Sequence, residues 1–265
     1  MLVVGERINT TRRQINDAVE RRDGAFIEAD VKAQLDAGAN FIDVNAGSRV
    51  GSEVDDLIWL IEVIQGAAPV RLSIDSSDPR CIDKALERVE SPPIINSITL
   101  EKKRFQSLAP VIRERELDVI GLCLDDEGIP KDLPKIIKNA ETLVHGLEDI
   151  GMKRERIYLD PLVQAVSTNA RAALLVIEAI ERIHQELPGV KTICGLSNVS
   201  FALPMRPLVN RTFLALAMKA GLAAAIIDPL DKRVMGTLRA TALLLGRDMY
   251  CKDYIRAFRQ GRMEG

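Results

Sequence analysis

Residues 41–45 read FIDVN, a short apolar run that closes on an Asn, and the same pattern recurs along the chain. Upstream lies LVVGERIN from Leu2. Downstream follow RLSID from Arg71, IINS from Ile94, VIGLCLD from Val119, IYLDP from Ile157, TICGLSN from Thr192 and AAIID from Ala224. These eight runs are near-regularly spaced, and at least seven end in Asp, Asn or Ser. Between them lie amphipathic stretches such as Glu53–Gln65 and Asn169–Leu187, whose apolar residues fall at three- and four-residue spacing and predict helices. Strand and helix thus alternate eight times, and parallel strands joined by crossover helices over this length predict a closed (β/α)8 TIM barrel. Such a barrel keeps its chemistry at the carboxyl ends of its strands. The candidate site residues follow from that placement: Glu6, Asn9, Asp43, Asn45, Asp75, Asn96, Asp160, Ser197, Asn198 and Asp228.

A chain of 265 residues with 47% hydrophobic content can bury a substantial core, and no Pro/Gly/Ser-rich linker divides it, so one domain over residues 1–265 is expected. The formal net charge of −2, with both signs interspersed, gives no electrostatic footprint for nucleic acid or an anionic membrane. No apolar stretch approaches a membrane span, and MLVVGERIN is too short and wrongly flanked for a signal peptide, so a cytoplasmic enzyme is expected. Cys81, Cys123, Cys194 and Cys251 form no C-x-x-C pair and no scaffold spacing, which fits a reducing compartment and a spectator role.

The two histidines, His145 and His184, fall in predicted helices away from the strand ends, which argues against a His-based metal triad or a histidine general base. No Walker sequence and no G-x-G-x-x-G occurs, and the loops LSNVSFALPMR and DPLDKR lack the glycine-rich phosphate cradle of many barrels. Carboxylates and side-chain amides remain. They suit a neutral ligand rich in N–H donors and ring acceptors, and no metal is expected.

Asp and Asn also favour turns and helix caps, so each strand-end residue has a structural reading. Asp78, before Pro79, reads as the cap of its helix, and Asp228, before Pro229, as a turn. Asp75, Asn96 and Asp160 differ, because each directly ends an apolar run, on strands three, four and six. Convergence of such side chains in the barrel mouth makes sense only with a ligand or water to satisfy them, since a buried unpaired polar group costs about 1–3 kcal/mol.

On these residues the sequence resembles the pterin-binding methyltransferases, nearest to the methyltetrahydrofolate:corrinoid methyltransferases. The likeness extends more distantly to the folate domain of cobalamin-dependent methionine synthase and to dihydropteroate synthase. The segments that carry it are VGERIN from Val4, DAGANFIDVNAG from Asp36, SIDSSDP from Ser73, IINSIT from Ile94, GIPKD from Gly128, YLDPLV from Tyr158, GLSNVSFALPMRPLVNRTFLA from Gly195 and YCKDYI from Tyr250. Dihydropteroate synthases typically carry a second Asp in an IND segment, a G-x-S-R-K stretch near strand seven and a late Arg-His pair. Here Ser97 follows Ile-Asn, LSNVS replaces S-R-K, and no His follows position 184.

The resemblance implies pterin contacts at Asp75, Asn96 and Asp160, with Asp160 on the amino-pyrimidine edge and Asn198 near N5, where the methyl group is carried. It places Asp160 and Asn198 in the catalytic apparatus, with Ser197 and Arg206 at neighbouring family positions. Arg206, beside Pro207, reads equally as a substrate contact and as a helix-start or ion-pairing residue. Asp43 and Asn45 extend the network around the pterin. Glu6 and Asn9 either close the barrel floor or brace the first loop. The substrate implied is tetrahydrofolate or methyltetrahydrofolate, and the other methyl carrier is cobalamin. Corrinoid modules carry a D-x-H-x-x-G motif, whereas Leu143 stands where that Asp would precede His145, so the cobalamin is expected on a partner corrinoid protein docking over the mouth. A homodimer is implied by the same resemblance. In the first loop, INTTRRQ replaces the glycine usual after the Asn in acetyl-CoA-pathway enzymes, which favours the demethylase-system type. A folate-binding protein without catalysis is the rival from another class.

Overall fold

The computed structural model describes residues 1–113 and 115–264. Eight strands, β1 (Leu2–Asn9), β2 (Phe41–Asn45), β3 (Arg71–Asp75), β4 (Ile94–Ile98), β5 (Asp118–Leu122), β6 (Ile157–Asp160), β7 (Lys191–Gly195) and β8 (Ala224–Ile227), pair in parallel and in sequence order. β1 pairs with β8 and closes the barrel. The helices around it are α1 (Arg13–Glu20), α2 (Gly24–Ala37), α3 (Glu53–Ala67), α4 (Pro79–Leu86), α5 (Lys102–Arg113), α6 (Leu133–Asp149), α7 (Ala172–Glu186), α8 (Arg206–Ala220), α9 (Lys232–Leu244) and α10 (Lys252–Arg259). This is the (β/α)8 barrel the alternating pattern predicts. No helix among the described residues is long and apolar enough to cross a membrane.

Helical spacing explains the outer layer. In α3, Leu57, Leu60, Ile61 and Ile64 are buried while Glu62 and Gln65 are not, a single apolar stripe turned toward the sheet. Each such side chain contributes about 1.5–3 kcal/mol through burial. Asp side chains mark where several helices begin: Asp78 accepts from the Arg80 N–H at α4, Asp132 from Lys135 at α6, and Asp231 from Arg233 and Val234 at α9. Glycines at φ 113° (Gly38) and 116° (Gly221) end α2 and α8 in the left-handed region.

Inside the barrel the pleat separates two kinds of surface. Val4, Phe41, Ile94, Ile120, Tyr158, Ile193 and Ala224 form one buried apolar cluster. Residues two positions further along a strand point the same way, toward the mouth. Above Val4, Phe41, Ile94 and Tyr158 therefore stand Glu6, Asp43, Asn96 and Asp160, one pleat step over an apolar floor.

Two strands end earlier than their apolar runs predict. β5 stops at Leu122, and Cys123 turns its N–H to the Asp160 carbonyl (2.9 Å). β7 stops at Gly195, and Leu196–Ser200 form a short 3-10 helix. The buried Leu196 and Val199 lie three apart, a spacing that a strand of period two cannot bury on one face. Helix α7 begins at Ala172 and not Asn169, because the Asn169 side chain accepts from the Arg171 N–H (3.0 Å) in a turn.

Candidate active site

One wall of the mouth is a hydrogen-bonded acid and amide network from β2, β3 and β4. In register, Asp43 lies beside Ser73, and Asn45, Asp75 and Asn96 lie side by side. Asp43 accepts from the Ser73 hydroxyl at 2.7 Å and from the Asn96 amide at 3.2 Å. Asn45 donates to Asp75 at 2.8 Å and accepts from the Gly47 N–H at 2.9 Å. The structure thus brings Asp43, Asn45, Asp75 and Asn96 together. Burial, and then the Asp75 charge, push the Asp43 carboxyl well above the usual carboxylate range. Asp75 is also raised by burial, against the pull of the Asn45 amide and the Arg104 guanidinium.

Asp160 stands apart from this network, on β6. Its carboxylate accepts from the Leu162 N–H at 2.7 Å, at a residue held with φ 68°. Burial pushes it up to about 6, even though backbone N–H groups of Leu162 and Gly195 favour its charged form. A ligand donating N–H groups to this carboxylate would offset the burial.

Ser197 and Asn198 sit on the 3-10 turn beyond β7, not within the strand. Asn198 is exposed. A Cβ on Gly195 would stand 3.3 Å from its Nδ2, so the glycine lets this amide fold back over the strand end. Arg206, at the start of α8, donates to the Ser197 carbonyl (2.9 Å) and the Ser200 hydroxyl (3.2 Å). These bonds brace the turn that carries Asn198.

The remaining strand-end candidates separate. Asn9 accepts from the Thr11 N–H (2.9 Å) and hydroxyl (2.7 Å) and braces the first loop. Asp228 accepts from the Leu230 N–H (3.0 Å) and pairs with Arg7 (2.8 Å) and Arg12 (3.6 Å), a turn residue as its proline neighbour predicts. Glu6 does not close the barrel floor. The floor is the Val4 layer below it, and its electrostatic partners Asp228, Arg12 and Arg206 all lie on mouth segments. Burial, followed by the Asp228 charge, pushes Glu6 up to about 7, against Arg12 and Arg206.

Sequence reasoning missed Arg104. From the first turn of α5 its guanidinium donates to the carbonyls of Ser97 (2.5 Å), Ser76 (2.7 Å) and Ser77, tying the loop after β3 to the end of strand β4. The available signal was the KKR run at residues 102–104, since cations are disfavoured where a helix begins unless another role holds them.

Residues 5–228 match the family of pterin binding enzymes. Over 99% of this chain and 98% of its own, the methylcorrinoid:tetrahydrofolate methyltransferase of Eubacterium limosum is 34% identical. A methionine synthase of Mycobacterium tuberculosis is 27% identical, with 96% of this chain spanning 23% of that longer protein. Among solved structures, dihydropteroate synthase of Xanthomonas albilineans with 4-aminobenzoic acid aligns at a TM-score of 0.70 and 17% identity, covering 94% of this chain and 93% of that one, a likeness of fold. The chain belongs to the pterin-binding enzymes, on the methyltransferase side of that family.

Proposed function

We propose that the chain exchanges a methyl group between N5 of tetrahydrofolate and a corrinoid held by a separate protein, in the direction methylcorrinoid to tetrahydrofolate. The near-full-length identity with an enzyme of that name carries the reading. The first loop, INTTRRQ, supports the same direction.

The donors and acceptors at the mouth fit a reduced pterin. Its exocyclic amine and ring N–H meet the Asp160 carboxylate as a bidentate pair, while Asp75 and Asn96, backed by Asp43 and Asn45, serve the rest of the ring. At N5, the Asn198 amide accepts from N5–H before transfer and donates to N5 after it, so one side chain orients the lone pair in both directions. A contact that strengthens as charge develops at N5 lowers the barrier; tight ground-state binding alone does not. Ser197 and Arg206 hold the turn on which that amide sits. The corrinoid, when its carrier docks, supplies the methyl group on cobalt.

The test is Asn198→Ala, with free methylcobalamin in place of the carrier protein and tetrahydrofolate at saturation. Loss of one preorganised hydrogen-bonding group should lower the transfer rate on the order of 10²–10³-fold, with folate affinity changed little. Visible spectra report the cobalt state. Wild-type turnover with weakened affinity would instead make Asn198 a binding residue only, whereas a wild type that binds folate and transfers no methyl would favour a non-catalytic folate-binding protein.

A further inference from the structure

We infer that Glu6 is the group that takes up the proton leaving N5, through water in a small pocket it shares with Ser197 and Asn210. The inference rests on the methyl transfer proposed above and adds the proton path to it. When tetrahydrofolate is methylated, the N5 lone pair forms the N–C bond and the carbon–cobalt bond breaks with its electron pair left on the metal. The N5 proton must then depart. Asn198 has no useful basicity, and Asp160 is committed to the pyrimidine edge.

Three observations lead to Glu6. The β1–β2 ladder is interrupted between Gly5 and Ile8, and within the break Arg7 turns outward to Asp30 of α2 (2.8 Å), which leaves Glu6 facing the other way. Glu6, Ser197, Asn210 and Asp228 line a pocket of about 60 Å³, walled by apolar residues such as Leu196 and Ile227, room for a few waters. In that pocket the Oδ1 of Asn210 is buried and takes no hydrogen bond from any described residue. A buried acceptor of this kind calls for a donor such as water. Ser197 belongs to the same turn as Asn198, so the pocket adjoins the amide assigned to N5.

The charges around Glu6 suit a proton acceptor. Asp228 and Asp231 face it from the segment joining β8 and α9, Asp43 from β2, Arg12 from the first loop and Arg206 from α8. Burial and Asp228 outweigh the arginines and bring the carboxyl to about 7, where it can both accept and release a proton near neutrality. Its role is relay through water, without contact to the substrate.

The experiment measures methyl transfer from methylcobalamin to tetrahydrofolate at saturating folate from pH 5 to 9, in the wild type, Glu6→Gln, Glu6→Asp and Asn210→Leu, with folate affinity measured separately. The wild-type rate should fall below a limb near pH 7, as the carboxylate is lost. Glu6→Gln should remove that limb and lower the plateau on the order of 10²-fold, with folate affinity within twofold. Glu6→Asp should restore a limb at a different pH. Asn210→Leu should lower the plateau while sparing affinity. A Glu6→Gln variant that keeps the wild-type limb and rate, or loses rate only in step with affinity, overturns the inference and leaves the methyltransferase reading standing. A wild type that binds folate but transfers no methyl in either direction overturns both.

Discussion

Two aspartates separate a proposed ligand site from a helix cap by what their oxygens meet. Asp78 precedes Pro79, accepts the Arg80 N–H at 2.9 Å and begins α4, as the Pro predicts. Asp160 ends β6, is buried and is raised to about 6. Because Asp160 also holds the Leu162 turn, Asp160→Asn is the cleaner probe; it keeps an acceptor for that N–H, removes the charge and turns the other oxygen into a donor. Folate affinity should drop by about 1–3 kcal/mol, before turnover at saturation does. Binding N–H donors favours the carboxylate, so wild-type affinity should rise with pH through 6 and level off, whereas Asp160→Asn should be flat across that range. Calorimetric titration at several pH values decides; a variant with the wild-type slope would remove Asp160 from the pterin edge. Asp78→Ala should leave affinity untouched and cost about 1 kcal/mol of stability as a lost cap. At this scale the proline neighbours make Asp78 and Asp228 legible in sequence. Glu6 is legible as a candidate but its direction is not, because the ladder break beside it follows no period of the sequence.

The turn between β7 and α8 shows how an element escapes a pattern. TICGLSN reads as one apolar run, yet burial of Leu196 and Val199 at a spacing of three curls its second half into a 3-10 helix and puts Ser197 and Asn198 beyond the strand. What holds it there is Arg206, eight residues beyond Asn198, through the Ser197 carbonyl and Ser200 hydroxyl. Arg206→Met removes both bonds and a cation that lowers the Glu6 pKa. Methyl transfer at saturating folate should fall more than affinity does, and any limb due to Glu6 should move to higher pH, because the acid is then harder to ionise. Arg206→Lys keeps the charge without the planar fork, so it should return the limb toward its original pH while the plateau stays low. Equal effects of Met and Lys on the limb would mean that the guanidinium acts on the turn alone. Nothing in the spacing of RPLVNR reveals these carbonyl contacts, which is why the sequence left Arg206 open between substrate contact and helix start.

Across the whole molecule, the eightfold alternation that betrays the barrel also stacks an acid layer over an apolar floor, because two residues along each strand is one step toward the mouth. That much is legible from strand runs alone. The Arg104 staple joins a helix to a loop and a strand through backbone carbonyls and is not. The acid layer has a consequence for stability. Glu6 and Asp160 are raised from 4.5 to about 7 and from 3.8 to about 6, and Asp43 and Asp75 are raised too. A carboxyl whose folded pKa exceeds its unfolded one stabilises the fold fully below the unfolded value, and that contribution is lost as pH rises through the folded value. Carboxyls with lowered values, such as Asp56 and Asp125, act in the opposite sense, but they are ionised in both states by pH 5. Between pH 5 and 8 the raised groups therefore dominate among the carboxyls. The ligand-free protein should melt at higher temperature at pH 5 than at pH 8, by several degrees, since a net loss of 1 kcal/mol moves Tm by about 2–4 °C at this size. Asp43→Asn should flatten the slope. Tetrahydrofolate should raise Tm more at pH 8 than at pH 5, because its N–H donors favour the ionised acids. Thermal melts at fixed ionic strength across that range check all three outcomes; a Tm that rises from pH 5 to 8 without ligand would mean the mouth acids are already paired within the fold.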